Sequence, residues 1–259
     1  MPVYDGINGV VRKRKEWPVG IGGVVRQQKE HWAGIDGVKR QIFSAGTPVG
    51  NLAVGGVVQL NENGGAQDYL CVHQGLPSSL YDSSCDGTWL LRKDIYENRQ
   101  WNSSNNNDYE NSTIDNYLNT TFLNLFESNI RDAIKQVKIP YRKGAGYGKT
   151  VTSGSSGLST KIFLLSSTEV NLVHGYEPTN EGACLSYFSG TAQNGADNKR
   201  VAKLNGSAAS WWLRSPYCYP RTGSASALLV GGNGHWGSNR CSNSYGIRPA
   251  LVLPSNFLI

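Results

Sequence analysis

The sequence predicts a mixed α+β domain preceded by a small β-rich repeat segment, and three observations support this prediction. Apolar runs with β-branched residues and proline punctuation occur at residues 211–216 and 245–254, as expected of buried strands. Two further apolar runs, at residues 57–60 and 69–73, flank the turn sequence NENGG and indicate a β-hairpin. A single amphipathic stretch, at residues 113–138, has the periodicity of a helix.

The amphipathic stretch predicts two helices separated by a break. Ser112 followed by Asp115 is a capping-box pattern at its start, and a proline follows its end. Weak helix formers at residues 120–121 and 128–129 indicate where the break falls. The apolar residues recur every three or four positions and define one stripe that should be buried: Ile114, Leu118, Phe122, Phe126, Ile130, Ile134 and Val137.

Two other segments are predicted to be extended. Residues 89–94 (WLLRKD) are typical of a short strand, and residues 161–170 (KIFLLSSTEV) of a strand that leads into a turn or short helix. The Gly-, Ser- and Tyr-rich residues 144–157 between them predict a loop.

An internal repeat occupies the first forty residues. The heptapeptide GINGVVR at residues 6–12 recurs as GIGGVVR at 20–26 and as GIDGVKR at 34–40, with a constant spacing of fourteen residues. Glycines at turn positions beside Val-Val predict short strands joined by tight turns. Each unit is too small to bury a core alone, so we expect the units to stack on one another or on other chains. A flexible basic leader is the alternative.

The expected division of the chain is a repeat segment at residues 1–46 and a main domain at residues 47–259. The glycine- and proline-containing sequence GTPVG at residues 46–50 predicts the linker between them. The first residues lack a basic region followed by an apolar core, so no secretory signal is expected, and no stretch has the length of a membrane span.

The C-terminal fifth of the chain contrasts an apolar frame with a polar interior. WWLRSP at residues 211–216 and YGIRPALVLP at residues 245–254 form the frame. Residues 217–244 between them consist mainly of Gly, Ser, Asn, Tyr, Arg, Cys and His, the residue types that antibody binding surfaces use. An ordinary Gly/Ser-rich loop is the alternative interpretation.

The WWLRSP and GIRPAL frame, the FLLSSTEV sequence and the Tyr187-Phe188 pair resemble the variable proteins of diversity-generating retroelements, chiefly the phage-borne proteins with a C-type lectin fold. In that family adenine mutagenesis reaches most residue types but not Lys, Glu, Gln, Met or Trp. Residues 217–244 contain none of these five types except Trp236. The resemblance covers the chain from about Val49 onward.

The resemblance implies a C-type lectin-like α+β fold and a ligand-binding surface in the varied segment, about residues 217–244. Its implied contact residues are Tyr217, Cys218, Tyr219, Arg221, Asn233, His235, Trp236, Ser238, Asn239, Arg240, Cys241 and Asn243. The implied function is that of a phage or prophage tail adhesin that recognises a bacterial cell-surface protein or glycan. Its location would be the virion, or the cytoplasm of the producing bacterium. Other tail or baseplate subunits are implied partners, and a homotrimer is expected through the repeat segment.

The charge of the chain is unevenly placed. The net charge is +6, and no Asp or Glu follows Asp197. A basic face could favour an anionic partner, but Arg214 and Arg248 lie within the frame and are expected to donate to buried carbonyls. Nucleic-acid binding is not expected, because aromatic residues are not interleaved with Lys and Arg.

Neither catalysis nor a bound cofactor or metal is expected. The four histidines lack ligand spacing, and the five cysteines contain no C-x-x-C pair. Asp108 and Glu110 are close in sequence but are typical of a solvated loop. The sequence EPTN at residues 177–180 differs from the lectin calcium signature Glu-Pro-Asn by an inserted Thr, so no calcium site is expected.

Two alternative functions remain open. A structural baseplate protein would have a lectin-like domain that binds only its neighbours. A formylglycine-generating type of oxidase shares the lectin-like fold and uses two cysteines near the C-terminus, a role that Cys218 and Cys241 could take.

Overall fold

A computed structural model gives the fold of the chain. It describes residues 46–144, 150–173, 180–218 and 225–259, together with the backbone of residues 4–7, 10–13, 30–35 and 38–44. In the part of the chain that the structure describes, strands account for 36% of the residues and helical turns for 16%, so the fold is a β-rich mixture of both, as the sequence predicted. Within the described part of the chain, no helix has the length and apolar character needed to cross a membrane.

The chain divides into two compact units: residues 1–47 with residues 258–259, and residues 48–257. In the first unit Ile7 pairs with Val10 and Ile35 with Val38, each across an antiparallel pair of strands. The strands predicted in the first and third repeats are therefore confirmed, while the repeat at residues 20–26 lies outside the described residues. The four strands are β1 (Tyr4–Ile7), β2 (Val10–Lys13), β3 (Glu30–Ile35) and β4 (Val38–Ser44).

The predicted linker at residues 46–50 is wrong beyond Thr47. Residues Val49–Asn51 form a turn of 3₁₀ helix, and the side chain of Val49 is fully buried in the second unit. The amide of Val49 donates to the carbonyl of Phe257 at 2.8 Å. Burial of an apolar side chain and pairing of its backbone outweigh the local turn signal.

The described residues of the second unit form sixteen strands and several short helical turns. In chain order the strands are β5 (Val57–Glu62), β6 (Gly65–Gln74), β7 (Thr88–Arg92), β8 (Asn98–Gln100), β9 (Val137–Ile139), β10 (Tyr141–Arg142), β11 (Val151–Thr152), β12 (Leu158–Thr160), β13 (Ile162–Phe163), β14 (Ala202–Leu204), β15 (Ser207–Ala209), β16 (Trp211–Pro216), β17 (Ser226–Val230), β18 (Trp236–Arg240), β19 (Ser244–Gly246) and β20 (Ala250–Leu253). The α-helices are α1 (Thr113–Tyr117) and α2 (Ser128–Ala133).

Two five-stranded sheets contribute nearly half of the buried apolar side chains. The first has the order β13-β20-β7-β6-β5 with antiparallel neighbours. The second has the order β18-β17-β16-β19-β8, in which only the β16–β19 pair is parallel. The second frame segment supplies residues of β19 in the second sheet as well as β20 in the first. Strand β16 is the central strand of the second sheet, and β20 lies inside the first. Both are fully buried, as predicted from their apolar runs.

The predicted hairpin and short strands are also present. Strand β5 pairs over its full length with the first six residues of β6, and Asn63 and Gly64 at the turn have φ values of 52° and 75°. This left-handed geometry is the one for which Asn-Gly is preferred in two-residue hairpin turns. Strand β7 and strand β13 lie in the segments predicted to be extended.

The helical prediction is confirmed at its start and wrong at its end. Ser112 Oγ accepts a hydrogen bond from the amide of Asp115 at 3.1 Å, which caps α1. The chain continues through a π-helical turn at Leu118–Phe122 and a 3₁₀ turn at Leu123–Leu125, and then becomes extended. Every residue of the predicted apolar stripe is buried.

Tertiary contacts set the break and the end of this stretch. The amide of Asn63 donates to the carbonyl of Leu125 at 2.7 Å, and Phe126 forms a β-bridge with Glu62. Backbone groups that would continue a helix are thus engaged by the β5–β6 hairpin. After α2 the chain enters strand β9, whose β-branched residues pair with β12.

Candidate functional site

Strand β16 is the rigid base of the candidate ligand-binding surface. All six of its residues are buried. The indole of Trp211 donates to the carbonyl of Arg200 at 3.0 Å, and the indole of Trp212 donates to the carbonyl of Arg99 at 2.9 Å. The polar atom of each large side chain is therefore satisfied within the core, so the strand has one packing arrangement.

Arg214 fixes β16 to the segments behind it. Its buried guanidinium forms two hydrogen bonds with Glu169, at 2.5 and 2.7 Å, and donates to the carbonyls of Pro140 and Leu164, each at 2.9 Å. Burial alone would lower the pKa of Arg214, but the adjacent Glu169 carboxylate raises it above its ordinary value. The expectation that this frame arginine serves buried carbonyls is confirmed.

The polar interior between the frame segments contains an ordered hairpin, which differs from the alternative interpretation of an ordinary Gly/Ser-rich loop. Strands β17 and β18 pair antiparallel, from Ser226 opposite Arg240 to Val230 opposite Trp236. Residues 227–230 (ALLV) are buried, because β17 lies between β16 and β18 in the sheet. The four consecutive apolar residues were the sequence signal for this strand.

Strand β18 is at the edge of the second sheet and carries the exposed polar side chains. Trp236, Ser238 and Arg240 alternate onto one face of the strand. Trp236 and Ser238 are half-buried, while Arg240 is exposed. Trp236 packs against the core, and its ring lies 5.9 Å from that of His235. These residues give the face one aromatic anchor, one small residue and one cation.

Asn239 points to the opposite face, where its amide is engaged by its own segment. Its Oδ1 accepts from the amide of Arg240 at 2.9 Å and from Asn243 Nδ2 at 2.7 Å, and its Nδ2 donates to Tyr245 Oη. Tyr245 in turn packs edge-on against Trp212. Asn239 therefore links the hairpin to the frame, and its role as a contact residue is secondary to this.

The remaining sequence-predicted contact residues divide by exposure. Asn233 and Asn243 are exposed, and His235, Tyr217 and Cys218 are half-buried. Cys241 is fully buried beside the sheet, so its selection as a contact residue is wrong: a side chain with no accessible surface cannot touch a macromolecular ligand. Tyr219 and Arg221 lie outside the described residues.

Polar residues from a distant segment, which sequence reasoning missed, complete the surface. Asn105 Oδ1 accepts from Ser242 Oγ at 2.8 Å, and Gln100 Nε2 donates to the carbonyl of Ser242 at 2.7 Å. Asn107 is buried and donates to two main-chain carbonyls of the candidate segment. The asparagine-rich run at residues 102–107 was the available signal, but a run of this kind is equally typical of a solvated loop.

The basic tail presents few exposed charges. The guanidinium of Arg200 is buried and donates to the carbonyl of Gly234 at 2.8 Å, and that of Arg248 donates to the carbonyl of Arg92 at 2.8 Å. Among the described residues that follow Asp197, the exposed cations are Lys199, Lys203 and Arg240.

The titratable groups considered for catalysis have ordinary structural partners. Asp108 Oδ2 accepts from Asn111 Nδ2 at 2.8 Å, and Glu110 accepts from the hydroxyl of Tyr141 at 2.8 Å. No group of three or more His, Cys, Asp or Glu side chains in the described ranges has the geometry to hold a metal ion. His174 and residues 177–179 of the EPTN sequence lie outside those ranges.

These features define a β-rich mixed α+β domain that presents a polar edge hairpin on a buried aromatic and arginine frame. The chain belongs to the family described as Domain of unknown function (DUF6273), whose model matches residues 86–255. That span includes both frame segments and the hairpin between them. The comparisons found no match among curated proteins and none among solved structures.

Proposed function

We propose that this protein is a ligand-recognition protein, without catalytic activity, whose contact surface is the edge hairpin β17–β18 and the adjoining ends of residues 217–244. The observation that carries the proposal is the separation of roles within this segment. The apolar side chains of residues 227–230 are buried in β17, whereas the polar side chains of Ser238, Arg240 and Asn243 lie on the edge strand β18 and the turn after it.

This separation is what a replaceable binding surface requires. Substitutions at exposed positions of an edge strand change stability little, usually within about 0.5 kcal/mol. The sheet beneath is held by β16 and by the Arg214–Glu169 ion pair, neither of which uses side chains of the hairpin. Trp236 and Arg240 belong to the residue types most enriched at binding hot spots, so we assign them the largest share of the affinity together with Tyr217.

The biological role that we propose rests on the resemblance to the variable proteins of diversity-generating retroelements. The second unit would be a C-type lectin-like domain with a varied C-terminal surface, in a phage or prophage tail adhesin. Its ligand would be a bacterial cell-surface protein or glycan. The first unit would join copies of the chain, as a trimer, or attach them to other tail subunits. Tyr219 and Arg221 are included among the proposed contacts.

A formylglycine-generating type of oxidase is the less favoured alternative. Burial raises the pKa of the Cys241 thiol to about 12, so this thiol is a poor nucleophile at neutral pH. The neighbouring genes would distinguish a structural baseplate protein from a diversified binding protein. A reverse transcriptase gene beside a near-copy of the 3′ end of this gene would favour diversified binding.

The binding test compares the protein in monomeric form and displayed in many copies on beads, with intact bacteria as the probe. Weak binding by the monomer and strong binding by the beads are expected, because repeated display adds avidity. Substituting Ser238→Ala and Arg240→Ala together should abolish bead binding. The matched control substitutes Ser128→Ala and Arg131→Ala on α2, which lies beside the hairpin β5–β6 of the other sheet.

Equal binding by the two variants would show that the contact surface lies elsewhere. A chelator should leave binding unchanged, since the proposal includes no calcium site. Loss of binding on chelation would contradict that part of it.

A further inference from the structure

We propose that Asn107 and Arg142 are positioning residues that hold the two ends of the first loop of the contact segment, at residues 216–218 and at Ser226, in part through main-chain carbonyls, so that the side chains between them can change without loss of the fold. This inference rests on the proposed function for its purpose. Its physical content, a clamp at the base of the segment, stands on geometry alone and is tested separately.

Asn107 joins the outgoing and returning chains of the segment. Its Nδ2 donates to the carbonyl of Tyr217 at 3.2 Å and to the carbonyl of Ser226 at 2.8 Å. The amide of Tyr217 also donates to the carbonyl of Ser226, at 2.9 Å. Both acceptors of Asn107 are main-chain atoms, which every residue type provides. The side chains at residues 217 and 226 are therefore irrelevant to these two bonds.

The position of Asn107 is itself fixed from outside the segment. A side chain at Gly144 would place its Cβ 2.0 Å from the carbonyl oxygen of Asn107, and Gly144 has a φ of +66°. Only glycine allows this approach of the two backbones. Asn106 Oδ1 accepts from the amide of Asp108 at 3.1 Å, and Asn102 Nδ2 donates to the carbonyl of Asn106 at 2.9 Å. Asn107 is thus held on both sides by bonds of its own loop.

Arg142 holds the outgoing end of the segment. Its fully buried guanidinium donates to the carbonyl of Pro216 and, at 2.9 Å, to the sulfur of Cys218. Glu181 lies 3.6 Å from Arg142 Nε, accepts from the amide of Arg142 at 3.1 Å and accepts from Ser215 Oγ at 2.5 Å. The paired charge keeps the guanidinium in place at the end of β16. The bond to Cys218 depends on a side chain of the segment.

The clamp explains how a segment can vary and still leave and re-enter the sheet at fixed points. Closing a loop costs conformational entropy that depends on where its ends are held. With the ends held by residues 107 and 142, which lie outside the segment, this cost does not depend on the residues that form the contact surface. Asn239 differs, because its bonds to Asn243 and Tyr245 join side chains and therefore change with the sequence.

The decisive substitution is Asn107→Asp. It keeps the shape of the side chain but replaces two N–H donors by oxygen lone pairs that face two carbonyls. We expect hydrogen exchange at the amide of Tyr217 to accelerate by about tenfold or more, the factor for one lost hydrogen bond. Exchange at the amide of Leu229, inside β17, should not change. Asn129→Asp, the same chemical change at an exposed position of α2, should alter neither amide.

A second substitution works from the acceptor side and leaves the clamp in place. Tyr217→Ala with Ser226→Ala should keep exchange at the amide of residue 217 within about threefold of the parent, since only side chains are removed. Strong acceleration in this variant would show that side chains hold the ends, and would overturn the proposal. Equal acceleration at residues 217 and 229 in Asn107→Asp would also overturn it, because that result indicates global destabilisation.

The tolerance of the segment gives a readout that a merely structural role would not change. Replacing residues 219–224 by several unrelated sequences should leave most variants folded in the parent and in the Asn129→Asp background. Fewer should fold in the Asn107→Asp background, and equal fractions would overturn the clamp. None of these measurements uses a ligand, so failure of the bacterial binding test and failure of the clamp are distinguishable.

Discussion

Replacing Arg214 by methionine is expected to destabilise the second unit strongly while preserving the volume of the side chain. Arg214 and Glu169 are both fully buried, and their two hydrogen bonds are 2.5 and 2.7 Å long. Methionine would leave the Glu169 carboxylate in the core without its cation. It would also leave the carbonyls of Pro140 and Leu164 without a donor.

The expected magnitude follows from the cost of an uncompensated buried charge. Removing one partner of a buried ion pair costs about 3–5 kcal/mol. A unit of this size loses about 2–4 °C in Tm per kcal/mol, so the expected loss is roughly 6–20 °C. The free energy of unfolding of a folded protein is only about 5–15 kcal/mol, so this variant would lose a large share of its stability.

Urea denaturation of the full chain, followed by tryptophan fluorescence, measures this effect. The control Arg131→Met, at a half-buried position of α2, should change the free energy of unfolding by no more than about 0.5 kcal/mol. Arg214→Met combined with Glu169→Gln should cost roughly 1–3 kcal/mol less than the sum of the two single substitutions, because they share one ion pair. A loss below about 1 kcal/mol for Arg214→Met, or simple additivity, would refute the role assigned to this pair.

Three further predictions concern a carboxyl, the cysteines and the repeat segment. Burial, with a contribution from the nearby Glu110 carboxylate, raises the pKa of Asp115 to about 7, so the folded protein retains a proton that the unfolded chain loses above about pH 4. Stability from this group therefore falls as pH rises from about 4 to about 7 and is lost above that range. Asp115→Asn should thus be more stable than the parent at pH 8, and equal urea midpoints at pH 8 would contradict this. The exposed Cys184 should react quickly with a thiol-reactive dye and the buried Cys241 slowly, as measured by mass spectrometry. Rapid labelling of Cys241 would favour the oxidase alternative. Light scattering should give a trimer for the full chain and a monomer for a chain that begins at Thr47, and two monomeric masses would remove the oligomerisation role of the repeats.

Local sequence signals predicted the elements whose stability is itself local. The Asn63-Gly64 turn, the Ser112 cap and the two frame strands were all predicted and are all present. Each rests on backbone preference, on a cap within four residues or on a continuous apolar run. For the same reason the apolar stripe of the helical stretch was identified correctly as buried, even where the helix gives way to extended chain.

Contacts between distant segments decided the rest. Strand β18 shows no apolar alternation, and it is a strand because β17 offers it an edge to pair with. The break after Leu125 exists because the β5–β6 hairpin takes the backbone bonds that a helix would need. The residue pattern of one segment does not show which distant segments will pair with its backbone.

The sequence alone determined that this chain has a buried C-terminal frame around a polar segment. Apolar side chains are buried away from water and polar side chains stay in contact with it, wherever they lie in the chain. Only the tertiary structure decided which polar residues face outward and which hold the segment in place. Cys241 and Asn239 resemble their exposed neighbours in type, yet the sheet buries one and engages the amide of the other. Asn107 and Arg142 reach the segment across more than seventy residues of chain. Hydrogen bonds act over about 3 Å, and only folding brings groups so far apart in sequence to that distance.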